Sequence, residues 1–162
     1  MRNSLLESVR RFLPDLLATQ RTLADLYARK QQALVQAQHQ QLEQLEQPEL
    51  ELTRALQQHL RARRDILQAA REAQLPHASL RELVSAFDPD ARAELQPLIR
   101  DSQELSRQLR RASSVHWIIA RKCCQYYGDV LELFANCGRM APTYAAHSDR
   151  ETSGGAILDT TV

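Results

Sequence analysis

The chain has 162 residues, enough for one domain with a buried core. It contains 4 Gly and 6 Pro, 5% of its residues are aromatic, and its formal net charge is +1. This composition disfavours sheet-rich folds, and the small net charge indicates no general attraction to nucleic acid or membrane surfaces. Leu, Ala, Gln, Arg and Glu are abundant and are strong helix formers, so the composition predicts an all-α protein.

The amino-terminal segment predicts no secretory signal. It carries Arg2, Arg10 and Arg11 but has neither an apolar run nor a small-residue cleavage site. No stretch approaches the roughly 18 consecutive apolar residues that a membrane span requires. Three cysteines, of which Cys123 and Cys124 are adjacent, make a poor disulfide framework. These features favour a reducing, cytoplasmic location.

Apolar residues recur at steps of three and four over residues 4–47, which predicts a first long helix. Pro14 lies early in this helix, so we expect a kink or a fresh start there. Pro48 has acidic residues on both sides, Glu46 two positions before it and Glu49 directly after it, a pattern typical of a helix start. It predicts a turn followed by a second helix over residues 49–74. We expect an elongated, coiled-coil-like antiparallel hairpin. The alternative is one continuous kinked helix.

Two further start signals follow. Ser79 with Glu82 is a capping-box pattern for a short helix over residues 79–87, and Asp88 before Pro89 predicts a long helix over about residues 90–136. Gly138 stands where a glycine closes a helix. Residues 1–138 therefore form the predicted helical bundle, and residues 139–162, which lack a period, a mobile tail. The long helix carries a heptad seam of Leu95, Leu98, Ser102, Leu105, Leu109, Ala112, His116, Ile119, Cys123, Tyr126, Val130, Leu133 and Cys137.

A second apolar stripe occupies only the carboxyl-terminal half of this long helix. From Val115 onward the helix is apolar almost all round, so its sequence requires a cover. The short helix or the first helix could supply that cover. We favour a partner helix, because the short helix has few large side chains to cover three aromatic rings. The stripe consists of Trp117, Ala120, Cys124, Tyr127, Leu131 and Phe134, with Ile118 beside it.

Other candidate sites are weaker. Cys123, Cys124, His116 and Cys137 lack the two-residue spacing typical of zinc sites, so we expect no metal. His116 lies on the seam, where an exposed phosphorylatable histidine is not expected. The basic clusters at 61–64 and 107–111 contain no aromatic residues and indicate solvated helix faces, with no nucleic-acid partner. Paired carboxylates, a nucleophile motif and a phosphate loop are missing from the sequence, so we expect neither catalytic residues nor a cofactor.

The layout of the helices resembles the FlgN family of flagellar type III export chaperones, over nearly the whole chain. Residues 105–133 resemble the client-binding helix of that family. The tail resembles that of many members in Thr143-Tyr144 and in the segment Ser153-Gly154-Gly155-Ala156-Ile157-Leu158-Asp159.

The resemblance implies a cytoplasmic chaperone that keeps the hook-associated (hook–filament junction) proteins soluble before export. It implies that the long helix binds the carboxyl-terminal helical segments of these clients, and that Tyr144 docks on the cytoplasmic domain of the export gate. No ATP site is implied. Two alternatives stay open: a structural coiled-coil protein that homodimerises through its last helix, and a phosphotransfer or regulatory bundle using His116.

Overall fold

A computed structural model describes residues 2–135 as four α-helices: α1 (Arg2–Val35), α2 (His39–Glu72), α3 (Leu80–Ser85) and α4 (Pro89–Ala135). No strand occurs in this part of the chain, so the all-α fold class is confirmed. The chain divides into two compact units, Met1–Ser114 and Val115–Val162. The predicted helix stop at Gly138 and the predicted tail over 139–162 lie outside the described residues.

In the first unit, α1 and α2 form an antiparallel hairpin. Thr19 Oγ1 of α1 lies 3.0 Å from His59 Nε2 of α2. Nearer the turn, Lys30 forms an ion pair with Glu49. The residue numbers of the two contacting partners converge towards the turn, as they do in any antiparallel helix pair.

The first part of α4 runs parallel to α1. Arg10 Nη2 lies 2.8 Å from Glu94 Oε2, and Gln20 Nε2 donates to Ser106 Oγ at 2.8 Å. The residue numbers of both partners increase from the first contact to the second, as they do in parallel helices. The hydrogen bond to Glu94 and a second one to Glu7 raise the pKa of Arg10. These side chains are substantially exposed, so the ion pairs orient the two helices and contribute little to stability.

The short helix α3 lies in the trough between α2 and α4 and packs on the amino-terminal half of α1. Ser79 caps it, because its side chain accepts a hydrogen bond from the Glu82 backbone N–H at 3.2 Å. The predicted α3 start is therefore confirmed. The core around α3 consists of Leu5, Val9, Phe12, Leu13, Ile66, Ala70, Leu80, Leu83, Val84, Phe87, Ala91, Leu95 and Ile99.

The first turn lies at residues 36–38, so the prediction of a turn at Pro48 was wrong. Ala37 adopts a φ of 52°, and the Gln38 N–H donates to the Ala33 carbonyl at 2.9 Å. This geometry closes a helix in the left-handed manner, usually with glycine. Leu45 is buried, and its packing holds the stretch before Pro48 in α2 despite the proline.

Three helices contain an internal proline: Pro14 in α1, Pro48 in α2 and Pro97 in α4. A proline removes the amide that would bond the carbonyl four residues earlier. All three prolines are exposed, so water can reach this part of each helix. Accordingly, α1 continues through Pro14 and no new helix begins there.

Candidate protein-binding surface on α4

The described part of the second unit is the α4 segment from Val115 to Ala135. It presents large apolar side chains to solvent that a folded protein normally buries. Among residues 2–114 of the first unit, by contrast, only Val35, Leu50 and Leu60 are large apolar residues with high exposure. The exposed set in the second unit is Val115 (43%), Trp117 (61%), Ile118 (52%), Tyr126 (65%), Tyr127 (60%), Leu131 (67%), Leu133 (62%) and Phe134 (69%).

Helical geometry divides this segment into one polar arc and one broad apolar arc. At about 100° per residue, the charged and amide side chains fall within roughly 100° of the helix circumference. Most of the remaining circumference is apolar, about twice the width of stripe that packs against a single helix. The polar arc consists of Arg121, Lys122, Gln125, Asp129 and Glu132.

The predicted second stripe lies on the apolar arc, with one exception. Nine residues separate Ile118 from Tyr127, so helix rotation places Ile118 roughly 180° away, among the polar side chains. Ile118 therefore does not share a face with the rest of the stripe. We define the α4 apolar surface as Trp117, Ala120, Cys124, Tyr127, Leu131 and Phe134, all of them exposed.

The heptad seam differs from its prediction in the same segment. In the first unit Leu95 and Leu109 are buried, as a packed seam requires. Beyond Val115 the seam residues Tyr126 and Leu133 are exposed, and Cys123 is an exposed free thiol. Periodicity identified the face correctly but could not show whether a neighbouring helix covers it.

Local contacts orient three of the aromatic side chains. The Arg121 guanidinium carbon lies 5.3 Å from the centroid of the Trp117 ring, a cation–π distance that orients the indole at the border of the polar arc. Tyr126 and Tyr127 meet edge to face, with centroids 5.9 Å apart. These contacts present aromatic bodies in defined orientations, which lowers the entropy lost on binding a partner.

One interpretation of the sequence assigned the cover of the second apolar stripe to the short helix. Its apolar residues Leu80, Leu83 and Val84 are buried within the first unit, in the core around α1. The three aromatic side chains Trp117, Tyr127 and Phe134 stay exposed.

The other candidate sites are a metal centre, His116, a membrane-spanning helix and Tyr144. Between residues 2 and 135, no group of three His, Cys, Asp or Glu side chains could hold a metal ion. His116 is half-buried. None of the described helices is long and apolar enough to cross a lipid bilayer. Tyr144, the predicted export-gate contact, lies outside the described residues.

Comparison with known proteins identifies the family. The family model described as "FlgN protein" matches residues 1–134, which include α1, α2, α3, α4 up to Phe134 and the α4 apolar surface. No curated protein sequence and no solved structure matches the chain. The match covers far more than half of the 162 residues, and the chain therefore belongs to the FlgN family of flagellar export chaperones.

Proposed function

We propose that this chaperone binds the carboxyl-terminal helical segments of the hook–filament junction proteins with the α4 apolar surface, in the cytoplasm, and delivers them to the export gate. The observation that carries the proposal is the exposure of Tyr127, Leu131 and Phe134, at 60%, 67% and 69%. Exposed apolar side chains of this size on one helix face form a contiguous patch, and such patches mark protein-interaction sites.

The energetics suit a carrier that must later release its client. Fully burying each large apolar side chain contributes about 1.5–3 kcal/mol. Four such side chains, each at the upper end of this range, contribute about 12 kcal/mol, which exceeds an association cost of about 4 kcal/mol by the roughly 8 kcal/mol that micromolar affinity requires. Binding energy alone holds the client in this scheme, so no nucleotide is required.

The width of the apolar arc favours a client that contributes more than one helical segment. One packed helix covers a stripe of roughly 100°, whereas the α4 segment is apolar over about twice that width. Tyr126 and Leu133, on the seam side, would then contact a second segment of the same client.

Tyr144 is the tyrosine of the sequence beyond residue 135, and we assign it to the export gate. A tyrosine offers a rigid aromatic body and a hydroxyl group, a combination common in binding hot spots.

The test replaces Tyr127, Leu131 and Phe134 together with alanine. We expect the variant to lose client binding in a pull-down while its circular dichroism and melting temperature stay near those of the parent. A matched variant on the polar arc, with Gln125, Asp129 and Glu132 changed to alanine, should bind normally. A large loss of helix in the first variant would show instead that these side chains support the fold.

Sedimentation of the free chain separates this function from a structural coiled coil. Concentration-dependent dimerisation that the triple alanine variant abolishes, with client binding unchanged, would assign the α4 apolar surface to a homodimer. Client binding that disappears with the three side chains supports the chaperone function.

A further inference from the structure

A groove in the first unit is not used by the proposed client site. It continues the trough between α2 and α4 beyond the end that α3 fills, and its volume is about 750 Å³. Buried core lies next to α3, whereas in the groove Leu60 is 54% exposed. Its apolar lining includes Leu13, Leu16, Leu56, Leu60, Ile99 and Leu109.

The border of the groove is basic. Arg63 of α2, Arg81 of α3 and Arg107 and Arg110 of α4 line it, and Arg100 lines a smaller adjoining cavity. No Asp or Glu lines either cavity. Of these five arginines, which we call the arginine rim, only Arg107 forms an ion pair among the described residues, with Glu104 at 2.8 Å.

The rim follows the geometry of a helix face. Arg100, Arg107 and Arg110, with Gln103 between them, recur at steps of three and four along α4 and therefore form one row. From Ile99 to Arg110 this edge spans about 17 Å, or three helical turns. A concentration of positive charge along an apolar trough is notable in a chain whose net charge is only +1.

The floor of the groove contains an incompletely satisfied polar group. Gln20 is 4% exposed, and its Oε1 atom has no hydrogen-bond partner within residues 2–135. A buried amide oxygen without a donor is costly, and a ligand with an N–H or O–H group at this point would remove that cost.

We propose that this groove docks an acidic amphipathic helix of about three turns, supplied by a partner protein. A helix is the favoured occupant because the chain's own helix α3 fills the adjoining part of the same trough, with Leu80, Leu83 and Val84 buried. Acidic residues flanking its apolar stripe would pair with the arginine rim, and one polar side chain of the stripe would donate to Gln20.

The shape and lining favour a peptide over other anionic partners. A concave trough cannot lie flat on a bilayer surface, and single-stranded nucleic acids bind grooves through exposed aromatic rings. Phe12 in the lining is buried, and the half-buried His59 ring is held edge-on against Phe12 and 3.0 Å from Thr19 Oγ1. Neither ring therefore offers an open stacking platform. The site lies wholly in the first unit and is independent of the proposed client surface.

Fluorescence anisotropy with a designed probe tests the inference. The probe is an 18-residue labelled helical peptide with leucines at steps of three and four flanked by glutamates, titrated with the full chain. We expect saturable binding that weakens as salt is raised, because rim charges are screened. The same peptide with lysine in place of glutamate should not bind.

Matched variants locate the binding. Arg110→Glu and Arg63→Glu should each weaken the probe by about fivefold or more, whereas Arg111→Glu and Arg64→Glu, neighbours outside the groove, should change it by less than about twofold. Leu60→Glu, at a largely exposed position, should also abolish binding without unfolding the chain. The triple alanine variant of the α4 apolar surface should bind the probe normally, which separates this inference from the client site.

Several results would overturn the proposal. Equal weakening by both members of each matched pair would assign the effect to net charge. Loss of the probe in the triple alanine variant would place it on α4 beyond the groove. Binding of phosphatidylserine vesicles or a uridine oligonucleotide, lost in Arg110→Glu while the probe fails to bind, would assign the rim to lipid or RNA. Self-association lost in the same variant would assign it to a second copy of the chain.

Discussion

Gln20 of α1 donates a hydrogen bond from Nε2 to the Ser106 hydroxyl of α4 at 2.8 Å. The same Nε2 lies 3.3 Å from the Ser102 carbonyl oxygen, and Gln20 and Ser102 are both buried. Two contacts from one amide to successive turns of α4 define a single register between the parallel helices. Apolar packing alone would allow neighbouring registers.

We expect Gln20→Leu to change the free energy of unfolding by no more than about 1 kcal/mol, because it removes two hydrogen bonds and one unsatisfied oxygen together. Gln20→Glu should cost about 2–3 kcal/mol at neutral pH, since it buries a carboxylate. Urea unfolding followed by circular dichroism measures both. Equal losses would show that the site is hydrated in solution.

Trp117 and Ile118 are sequence neighbours on different arcs of α4, so they form a natural pair of variants. Trp117→Ala should weaken client binding by about 2 kcal/mol or more, the range of an aromatic hot spot. Ile118→Ala should leave affinity within about twofold, because this side chain lies among the polar residues. Calorimetric titration with a client segment measures both, and a larger loss for Ile118 would contradict the proposed binding face.

Cys123 and Cys124 are exposed free thiols, so both should react readily with a soluble thiol reagent. Cys123→Ala should change stability by less than about 0.5 kcal/mol, as surface substitutions do. Bound client should protect Cys124, on the α4 apolar surface.

Elemental analysis of the purified protein should find no stoichiometric metal, and about one zinc per chain would overturn that expectation.

Tyr144→Ala should separate the two proposed binding events. Client affinity should stay within about twofold, while binding of the loaded chaperone to the export-gate cytoplasmic domain should fall by about 2 kcal/mol or more. Calorimetry on each pair provides the measurement. Losses of equal size at both partners would show that Tyr144 supports the fold, and unchanged gate binding would remove it from the mechanism.

Local signals predicted the later elements of the fold well. Ser79 caps α3 with its side chain, and Pro89, which has no N–H to leave unsatisfied, is the first residue of α4. The first turn could not be predicted in this way. It depends on Ala37, and the end of α2 depends on Gln74, two non-glycine residues with φ of 52° and 55°. Neither residue type signals a left-handed closure.

Contacts between residues far apart in the chain also could not be predicted from the sequence. Gln20 carries no local signal for burial, because the partners that make burial of its amide tolerable lie 82 and 86 residues away. Helical periodicity reports the direction of a side chain, so it places the residues of the α4 apolar surface on one face of the helix and Ile118 on another. Periodicity does not show whether another helix covers that side chain.

The six-residue length of α3 limits how far the chain can close its own trough. Six residues of helix span about 9 Å, roughly half the length of the open groove along α4. An insertion of two helical turns before Leu80, at the end of α3 that borders the groove, would let α3 extend along the arginine rim and convert an open three-helix trough into a complete four-helix bundle. Such a protein would gain stability from the added packing and would lose the surface available to other proteins. Variation in the length of this one connection is therefore a simple route by which related bundles could gain or lose partners.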